Sequence, residues 1–595
     1  MPRTTRSAHA AVHYRVQAHD LHAHLFHVTL TVPAPQAAQT VSLPVWIPGS
    51  YLVREFARHL QGLQARQGRR AVALTQLDKC TWRVDAREGE PLQLSYQVYA
   101  FDPSVRAAWL DAQRGFFNGT SLCLRVHGLE SQPHQLELVP VPGQARWQVA
   151  TALTPKRCNR QGFGLYEAED YDELVDSPVE MGRFWSGDFV ACGIPHRFVV
   201  AGALPTFDGA RLLADAQKIC ETAIRFWHGP GARAARRAPH RRYVFMLNAV
   251  HDGYGGLEHR HSTALIANRA DLPRVGEGAK PRAGYVTLLG LISHEYFHTW
   301  NVKRLRPDAF AQYDYTQENY TPLLWFFEGF TSYYDDLLLR RAGLIDDATY
   351  IGLLSKTIEQ VQQTPGRQVQ SVAQASFDAW VKYYRMDENT PNATVSYYTK
   401  GALVALCMDL TLRREGHSLD AVMRGLWQRC GAGPMREQDL LDELQAQTGR
   451  SWQGTVHRWV HTTEELPLAP LLQAQGVRIH TEPASLAQRL GLRAVDGASG
   501  VQVKSVLRGS AAEAAGLAPN DEWIGLEVGA RGEGGHWRIH KLDDVATLLG
   551  RARQGRMWVA RDRQMLRLAF RLPASASVWR LEAASAVAAG QWPLA

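Results

Sequence analysis

Two histidines and a glutamate in the middle of the chain have the spacing of a metal site. His294 and His298 lie four residues apart in LISHEYFHTWNVKRLR, so on a helix both imidazoles share one face and can point at a single ion. Glu295 is rotated off that face and would stand beside the ion, where it could take a proton from water. The pattern suits Zn²⁺ with a glutamate as general base. A surface helix with two solvated histidines is the alternative, but the apolar neighbours favour a buried helix over roughly 285–302.

A third ligand is expected on a second helix. LLWFFEGFTSYYDDLLLRRAG, residues 323–343, predicts a helix that stops at Gly343. Glu328 lies there among apolar and aromatic residues, an unfavourable setting for a carboxylate unless it binds something. Glu318 is a rival because 19 residues separate it from His298, although its polar, non-periodic segment would not hold the side chain in place. Three protein ligands would leave a fourth position for water.

A glycine-rich stretch precedes the motif. In HDGYGGLEHRHSTALI, the adjacent Gly255 and Gly256 permit a tight bend and a close backbone approach. The following LEHRHSTALI alternates with period two and predicts one strand, with Glu258 and His259 at its start, that could form a wall of an active-site cleft. An ordinary hairpin turn with exposed polar residues is an equally good interpretation of the pattern.

The length of 595 residues predicts several domains rather than one core. Alternating β-branched segments separated by Pro and Gly predict an antiparallel β domain, which we expect to be a sandwich. The expected order is an N-terminal β-rich domain, a catalytic domain, a helical part of the catalytic region, a domain of short strands and an Ala-rich tail, at 1–195, 196–345, 346–470, 471–575 and 576–595.

Composition narrows the classes of partner. The net charge of +8 is spread along the chain apart from one short basic cluster, so we expect no nucleic-acid partner. The sequence has neither a signal-like N-terminus nor a run of about 18 apolar residues, so we expect no membrane association. Seven scattered cysteines without a C-x-x-C pair favour a reducing compartment, and we predict a cytoplasmic location.

Seven motifs in order give the chain a family resemblance over nearly its whole length. It resembles the glycyl aminopeptidase family of gluzincin zinc metallopeptidases, which carry a C-terminal PDZ domain; the motifs are PGSYLVREF, DELVDSPVEMG, GGLEH, HEYFHTWNVKRLRP, LLWFFEGFTSYYDDL, YYTKGAL and GLAPNDEWIGL. The resemblance implies a multidomain α+β fold. Its parts are an N-terminal antiparallel β domain, a thermolysin-like zinc catalytic domain with a helical extension, and a C-terminal PDZ-like domain.

The resemblance also implies the metal ligands. His294, His298 and Glu328 would bind one Zn²⁺ per chain, with Glu295 as general base. Glu-Gly-Phe-Thr-Ser-Tyr-Tyr is the family's signature, which decides for Glu328 over Glu318.

Substrate contacts follow from the same likeness. GGLEH resembles the G-x-M-E-N strand of the wider aminopeptidase N-like group, so Glu258 would hold the free amine of the substrate, with Gly255, Gly256 and His259 beside it. Tyr398 matches the tyrosine that opens the Y-x-K-G motif and supports the tetrahedral intermediate. The adjacent Tyr397 keeps the choice between the two tyrosines open.

The implied activity is a zinc-dependent aminopeptidase acting on peptides with a free N-terminus, with a preference for Gly or Ala that only the family suggests. Alternatives are a zinc endopeptidase and, less favoured because no fourth ligand is evident, a PDZ peptide-binding protein with a structural zinc. The PDZ-like region could take a C-terminal peptide at a strand edge, near Arg489–Leu492, or merely pack on the catalytic unit. Asn520 replaces the usual turn glycine there and is expected to tolerate a positive φ.

Overall fold

The computed structural model describes residues 11–231, 233–529, 533–583 and 592. The chain divides into two compact units. The first comprises the described parts of Met1–Asn319, Arg341–Ile345 and Met423–Arg436, and the second those of Tyr320–Arg340, Asp346–Val422 and Glu437–Ala595. Among the described residues, no helix is both long and apolar enough to cross a bilayer.

Three β-sheets form the N-terminal part of the first unit, which confirms the predicted β-rich domain but not a two-sheet sandwich that is antiparallel throughout, because Val12–Asp20 and His134–Leu138 pair in parallel. The eight-stranded sheet has the spatial order Thr154–Cys158, Gly164–Ala168, His134–Leu138, Val12–Asp20, Leu25–Val32, Leu92–Tyr99, Leu60–Gln67 and Arg70–Val72. One four-stranded sheet has the order Gln148–Thr151, Val179–Gly182, Arg114–Phe117 and Ala108–Leu110. The other has the order Arg125–Val126, Gln39–Ser42, Thr81–Val84 and Leu74–Gln76. One hydrophobic cluster includes residues of all three sheets, such as Val28, Val41 and Phe117, so the sheets share a core. Short helices occupy Gly119–Leu122 and Tyr171–Val175.

A five-stranded mixed sheet follows in the same unit. Its spatial order is Trp185–Ala191, Ile194–Ala201, Tyr243–Val250, Ser262–Asn268 and Gly255–Glu258. The helices Gly209–His228 and Ala283–Phe297 pack on each other and on this sheet; a short helix, Arg233–Arg237, lies between the first helix and the third strand. The Asp208 side chain accepts a hydrogen bond from Arg211 N and caps the first helix.

Of the two interpretations of LEHRHSTALI, the single strand is wrong and the hairpin is confirmed, although Glu258 and His259 are buried and not exposed. Gly255–Glu258 and Ser262–Asn268 form an antiparallel hairpin in which Glu258 pairs with Thr263. Glu258 therefore ends a strand instead of beginning one, and His259 N donates to Ser262 O at 2.9 Å across the turn. Leu257 and Ile266 join the hydrophobic cluster of the N-terminal sheets, and this packing determines which residues pair.

The chain from 324 to 474 is helical, as predicted. Its α-helices are Leu324–Arg341, Asp347–Gln362, Val372–Phe377, Thr390–Ala393, Tyr397–Arg414, Leu419–Arg429, Glu437–Thr448, Gln453–Val456 and Leu468–Ala474. We call Ala283–Phe297 the motif helix, Leu324–Arg341 the Glu328 helix and Tyr397–Arg414 the Tyr398 helix. Gly343 lies two residues beyond the Glu328 helix with φ +71, which agrees with the predicted stop.

The C-terminal part of the second unit returns to β structure. A sheet has the order Leu492–Asp496, Val501–Val506, Glu522–Val528, Gln554–Arg561 and Gln564–Arg571, with His536–Arg538 paired to the third strand. The helices Leu486–Leu490, Ala511–Ala514 and Leu542–Leu549 accompany it. Asn520 has φ +69, as expected for the residue that replaces a turn glycine.

The predicted tail at 576–595 is wrong in its first part. Ser577–Ala583 forms a strand that pairs antiparallel with Val477–Pro483. Arg580 holds this strand by ion pairs to Glu482 at 3.0 Å and to Glu359 on a neighbouring helix. Apart from Trp592, the rest of the predicted tail lies outside the described residues.

Candidate metal centre

The motif helix aligns the two histidines. It is apolar almost throughout, with Leu288 and Ile292 fully buried. His298 directly follows the last helical residue, and its backbone N donates to His294 O at 3.2 Å, so the helical turn that joins the two residues is retained. The two imidazole centroids are 4.6 Å apart.

Glu328 completes a three-residue cluster with this pair. One ligand atom each from His294, His298 and Glu328 lies within 4.8 Å of the others, and Glu318 is not a member. His298 and Glu328 are buried. The His298 Nδ1–H donates to Asn301 O at 2.7 Å, so Nε2 is the ring nitrogen that can bind a metal. Two imidazoles and one carboxylate are the donor set of catalytic zinc sites with an open position, so the residues present fit Zn²⁺.

Glu295 is held by the glycine hairpin. Thr263 Oγ1 donates to Glu295 Oε2 at 3.4 Å and to Leu257 O at 3.0 Å. A Cβ atom on Gly256 would overlap the Glu295 carboxylate, so this glycine is required for close approach to the acid. Arg106 of the N-terminal β domain donates from Nη2 to Gly256 O at 3.3 Å and fixes the strand from the other side.

Glu258 is a buried acid that pairs with none of the residues described by the structure. The residue is 4% exposed at the end of its strand. No residue that the structure describes forms a hydrogen bond or an ion pair with its carboxylate. Burial lowers the pKa of Lys303, but Asp176 and, more weakly and through space, Tyr313 and Glu258 raise it, so Glu258 lies near this ammonium without pairing with it. An ionised carboxylate in this setting is unfavourable until a cation arrives.

Asp176, a residue to which the sequence assigned no role, organises the surroundings of Glu258. Its carboxylate accepts from Lys303 Nζ at 2.8 Å, from Arg260 N at 2.9 Å and from His259 Nδ1 at 3.2 Å. Burial alone would raise the pKa of Asp176, but Lys303, His259 and Arg260 outweigh it and hold that pKa well below its usual range. The His259 Nε2 is buried and has no hydrogen-bond partner among the described side chains and backbone. In the sequence, the members of this network lie in or next to the motifs DELVDSPVEMG, GGLEH and HEYFHTWNVKRLRP.

A glycine contact aligns the Glu328 and Tyr398 helices within the second unit. A Cβ atom on Gly329 would lie 2.5 Å from Gly401 Cα, and one on Gly401 would lie 2.5 Å from Trp325 O. The glycines of EGFTSYY and YYTKGAL are therefore where the two backbones meet. This contact fixes the position of Glu328 relative to the Tyr398 helix.

Tyr398 remains a protonated donor. Burial, with the nearby Glu328 carboxylate and neighbouring tyrosines, raises the pKa of Tyr398 well above its usual value. Its hydroxyl lies 3.4 Å from that of Tyr384. The Tyr397 ring stacks on Tyr398 at 4.7 Å and is fully buried, whereas Tyr398 is partly exposed, so Tyr398 is the more accessible of the two.

Comparison with known proteins gives two kinds of match. The Peptidase M61 N-terminal domain model matches residues 13–183, and the M61 glycyl aminopeptidase model matches residues 287–404. An aminopeptidase N family protein from Idiomarina loihiensis is 36% identical over 96% of this chain and 98% of that one, with a TM-score of 0.90. The M1 zinc metallopeptidase from Deinococcus radiodurans is 17% identical over 77% of this chain and 95% of that one, with a TM-score of 0.48. None of the curated proteins compared matches the chain.

Proposed function

The chain belongs to the aminopeptidase N family and is a zinc metallopeptidase, and from this premise we propose that it removes small first residues, Gly or Ala, from peptides with a free N-terminus. His294, His298 and Glu328 hold one zinc ion per chain, Glu295 is the general base, and Tyr398 assists the reacting carbonyl. Gly255, Gly256, Glu258 and His259 bind the amino end of the substrate.

The observation that carries the aminopeptidase assignment is that the buried Glu258 carboxylate pairs with no residue in the described parts of the chain. A buried carboxylate without a hydrogen bond needs a cation, and the α-ammonium of a peptide is a cation with three N–H donors. An ammonium bound there fixes the first residue and selects for substrates with a free amine. The endopeptidase alternative gives Glu258 nothing to bind.

The proton chemistry belongs to Glu295. Zinc, when bound, supplies a Lewis acid that lowers the pKa of a coordinated water toward about 7. Glu295 accepts a proton from the attacking water and returns it to the nitrogen of the leaving amine. The Tyr398 hydroxyl, kept protonated by burial, donates to the carbonyl oxygen as negative charge develops on it.

Substrate range and domain roles are further parts of the proposal. The preference for Gly or Ala rests on the likeness to the glycyl aminopeptidase model. We assign a thermolysin-like domain to 196–345, its helical extension to 346–470 and a PDZ-like domain to the C-terminal sheet. The last assignment is supported by Leu492–Asp496, an edge strand at which a C-terminal peptide could add. The scattered cysteines, all free, support a cytoplasmic location.

Turnover of glycine p-nitroanilide by the zinc-loaded full chain, with and without a chelator, tests the proposal. Glu295→Gln should retain zinc and lose at least about a hundredfold in kcat, because the proton acceptor is removed while the ligands remain. His294→Ala should lose the metal. A Glu295→Gln variant as active as the parent, or a parent that is fully active without metal, would contradict the mechanism.

A further inference from the structure

A turn of the N-terminal β domain lies against Glu258. The segment WIPGSYLVREF contains a turn in which Ser50 N donates to Ile47 O at 3.0 Å. Gly49 occupies this turn with φ +93, a conformation that residues with a Cβ rarely adopt. In the sequence this segment is visible only as the motif PGSYLVREF, without a role for any of its residues.

Gly49 meets the end of the Glu258 side chain. A Cβ atom on Gly49 would lie 2.6 Å from both carboxylate oxygens of Glu258 and 2.8 Å from its Cδ. No side chain fits in that space, because Cβ atoms do not approach oxygen so closely. The Gly49 main chain therefore covers one end of the carboxylate, and an incoming cation must approach Glu258 from another side.

The turn is anchored on both flanks. Arg54 donates from Nη2 to Ser50 Oγ at 2.7 Å and from its backbone N to Val45 O at 2.7 Å. Val45 N in turn donates to Tyr315 O at 2.9 Å. Because these bonds hold the turn, a methyl group on Gly49 would displace the Glu258 carboxylate more readily than the turn.

We propose that Gly49 is a positioning residue for substrate binding, through which the N-terminal β domain fixes the Glu258 carboxylate where it receives the α-ammonium of the substrate. The ligand class is a primary ammonium next to a carbonyl group that reaches the metal. The inference rests on the proposed function, since it assumes that Glu258 binds the amine.

Two zinc-binding probes that differ by one amine test the inference. Glycine hydroxamate carries the ammonium and acetohydroxamate lacks it, and calorimetry measures the affinity of the zinc-loaded full chain for each. The variants are Gly49→Ala, Glu258→Ala, their combination and Gly89→Ala. Gly89 is the matched control, because it has φ +75 but open space around its Cβ position.

We expect the parent to bind glycine hydroxamate about tenfold to a hundredfold more tightly than acetohydroxamate, the effect of a charge-assisted contact. Glu258→Ala should abolish this preference and Gly49→Ala should reduce it about tenfold or more, while Gly89→Ala preserves it. In the Glu258→Ala background, Gly49→Ala should have no further effect. Affinity for acetohydroxamate should be the same in all four variants.

The outcomes separate the inference from the proposed function. If Glu258→Ala keeps the amine preference, Glu258 does not bind the amine and the proposed function loses its support. If Glu258→Ala abolishes the preference but Gly49→Ala keeps it, or weakens both probes equally, the inference alone is overturned. The melting temperature gives a second readout. Gly49→Ala should lower the melting temperature more in the parent than in the Glu258→Ala background, and equal decreases in both would contradict the contact between Gly49 and Glu258.

Discussion

Asp176, which is largely buried, and Glu258, which is buried, are two acids of the first unit with opposite surroundings. The Asp176 side chain is 11% exposed and is paired with Lys303, His259 and Arg260. Glu258 is 4% exposed, and nothing in the described parts of the chain pairs with it. The first unit therefore contains one carboxylate, at the end of a short helix, whose charge is compensated, and one, at the end of a strand, that no described residue pairs with.

The two acids have different roles, one in holding the structure together and the other in binding a ligand. A paired buried carboxylate holds secondary-structure elements together, and its removal leaves the partner's charge buried without a counter-charge. An unpaired one weakens the fold and is retained where a ligand supplies the missing partner. Asp176 joins the hairpin turn to Lys303, beyond the motif helix, and thereby places Glu258 without touching it.

Of the changes predicted below, Asp176→Asn should have the largest effect on folding stability. Lys303 would remain buried without its counter-charge, so we expect a loss of about 3–5 kcal/mol in folding stability. Scanning calorimetry of the variant and parent measures the drop in melting temperature. The matched change Glu258→Gln removes an uncompensated charge and should leave stability equal or higher; equal destabilisation by both variants would refute the distinction.

Acid should also lower the folding stability, through two histidines that burial keeps neutral. His196 and His240 both lie within hydrogen-bonding distance of the Tyr296 hydroxyl, at 2.9 and 3.0 Å. Burial lowers the pKa of His196 to about 4 and that of His240 well below its usual value. Between pH 6.5 and 4 the unfolded chain binds protons that the folded chain does not, so stability is present above pH 6.5 and falls as the pH drops.

For His196 the expected loss is up to about 3 kcal/mol near pH 4, and the lowered pKa of His240 adds to it in the same direction. Melting temperatures from pH 7 to 4 measure it, with His196→Gln as the comparison. The Gln variant should show a shallower decline, and an unchanged slope would assign the acid sensitivity to other groups.

Glu328, the third ligand, is positioned by helix packing and not by charge pairing. The expected effect on folding stability is smallest here. Gly401→Ala should separate the Glu328 and Tyr398 helices at a cost of about 1–3 kcal/mol and weaken zinc retention during dialysis. Gly352 is a helical glycine with open space, so Gly352→Ala should stabilise by up to about 1 kcal/mol and leave zinc unchanged. Equal effects of the two changes would show that the Gly329–Gly401 contact does not position Glu328.

Local patterns predicted the parts of the site that lie within single elements. The four-residue spacing of His294 and His298 and the apolar surroundings of Glu328 are visible in one helix each. The sequence left a single strand and a hairpin equally open because Leu257 to Ile266 alternates across the turn, and only packing on the N-terminal core distinguishes the two. The Ser577–Ala583 strand was missed because its partner lies about a hundred residues earlier.

The network around Glu258 could not be predicted because its members are far apart in sequence. Asp176 and Lys303 are separated by 127 positions, and Gly49 reaches Glu258 from another domain. The motifs that contain Asp176, Lys303 and Gly49 are visible in the sequence, but a motif alone does not identify the side chain that each residue contacts. Only the folded chain reveals which carboxylate each of them serves.

The most direct test compares kcat/KM for glycine p-nitroanilide and N-acetylglycine p-nitroanilide in the zinc-loaded parent and in Glu258→Gln. The parent should strongly prefer the free amine, and Glu258→Gln should lower kcat/KM for the free amine about tenfold to a hundredfold while leaving the blocked substrate unchanged. Equal turnover of both substrates by the parent would contradict the assignment of Glu258 to the substrate ammonium.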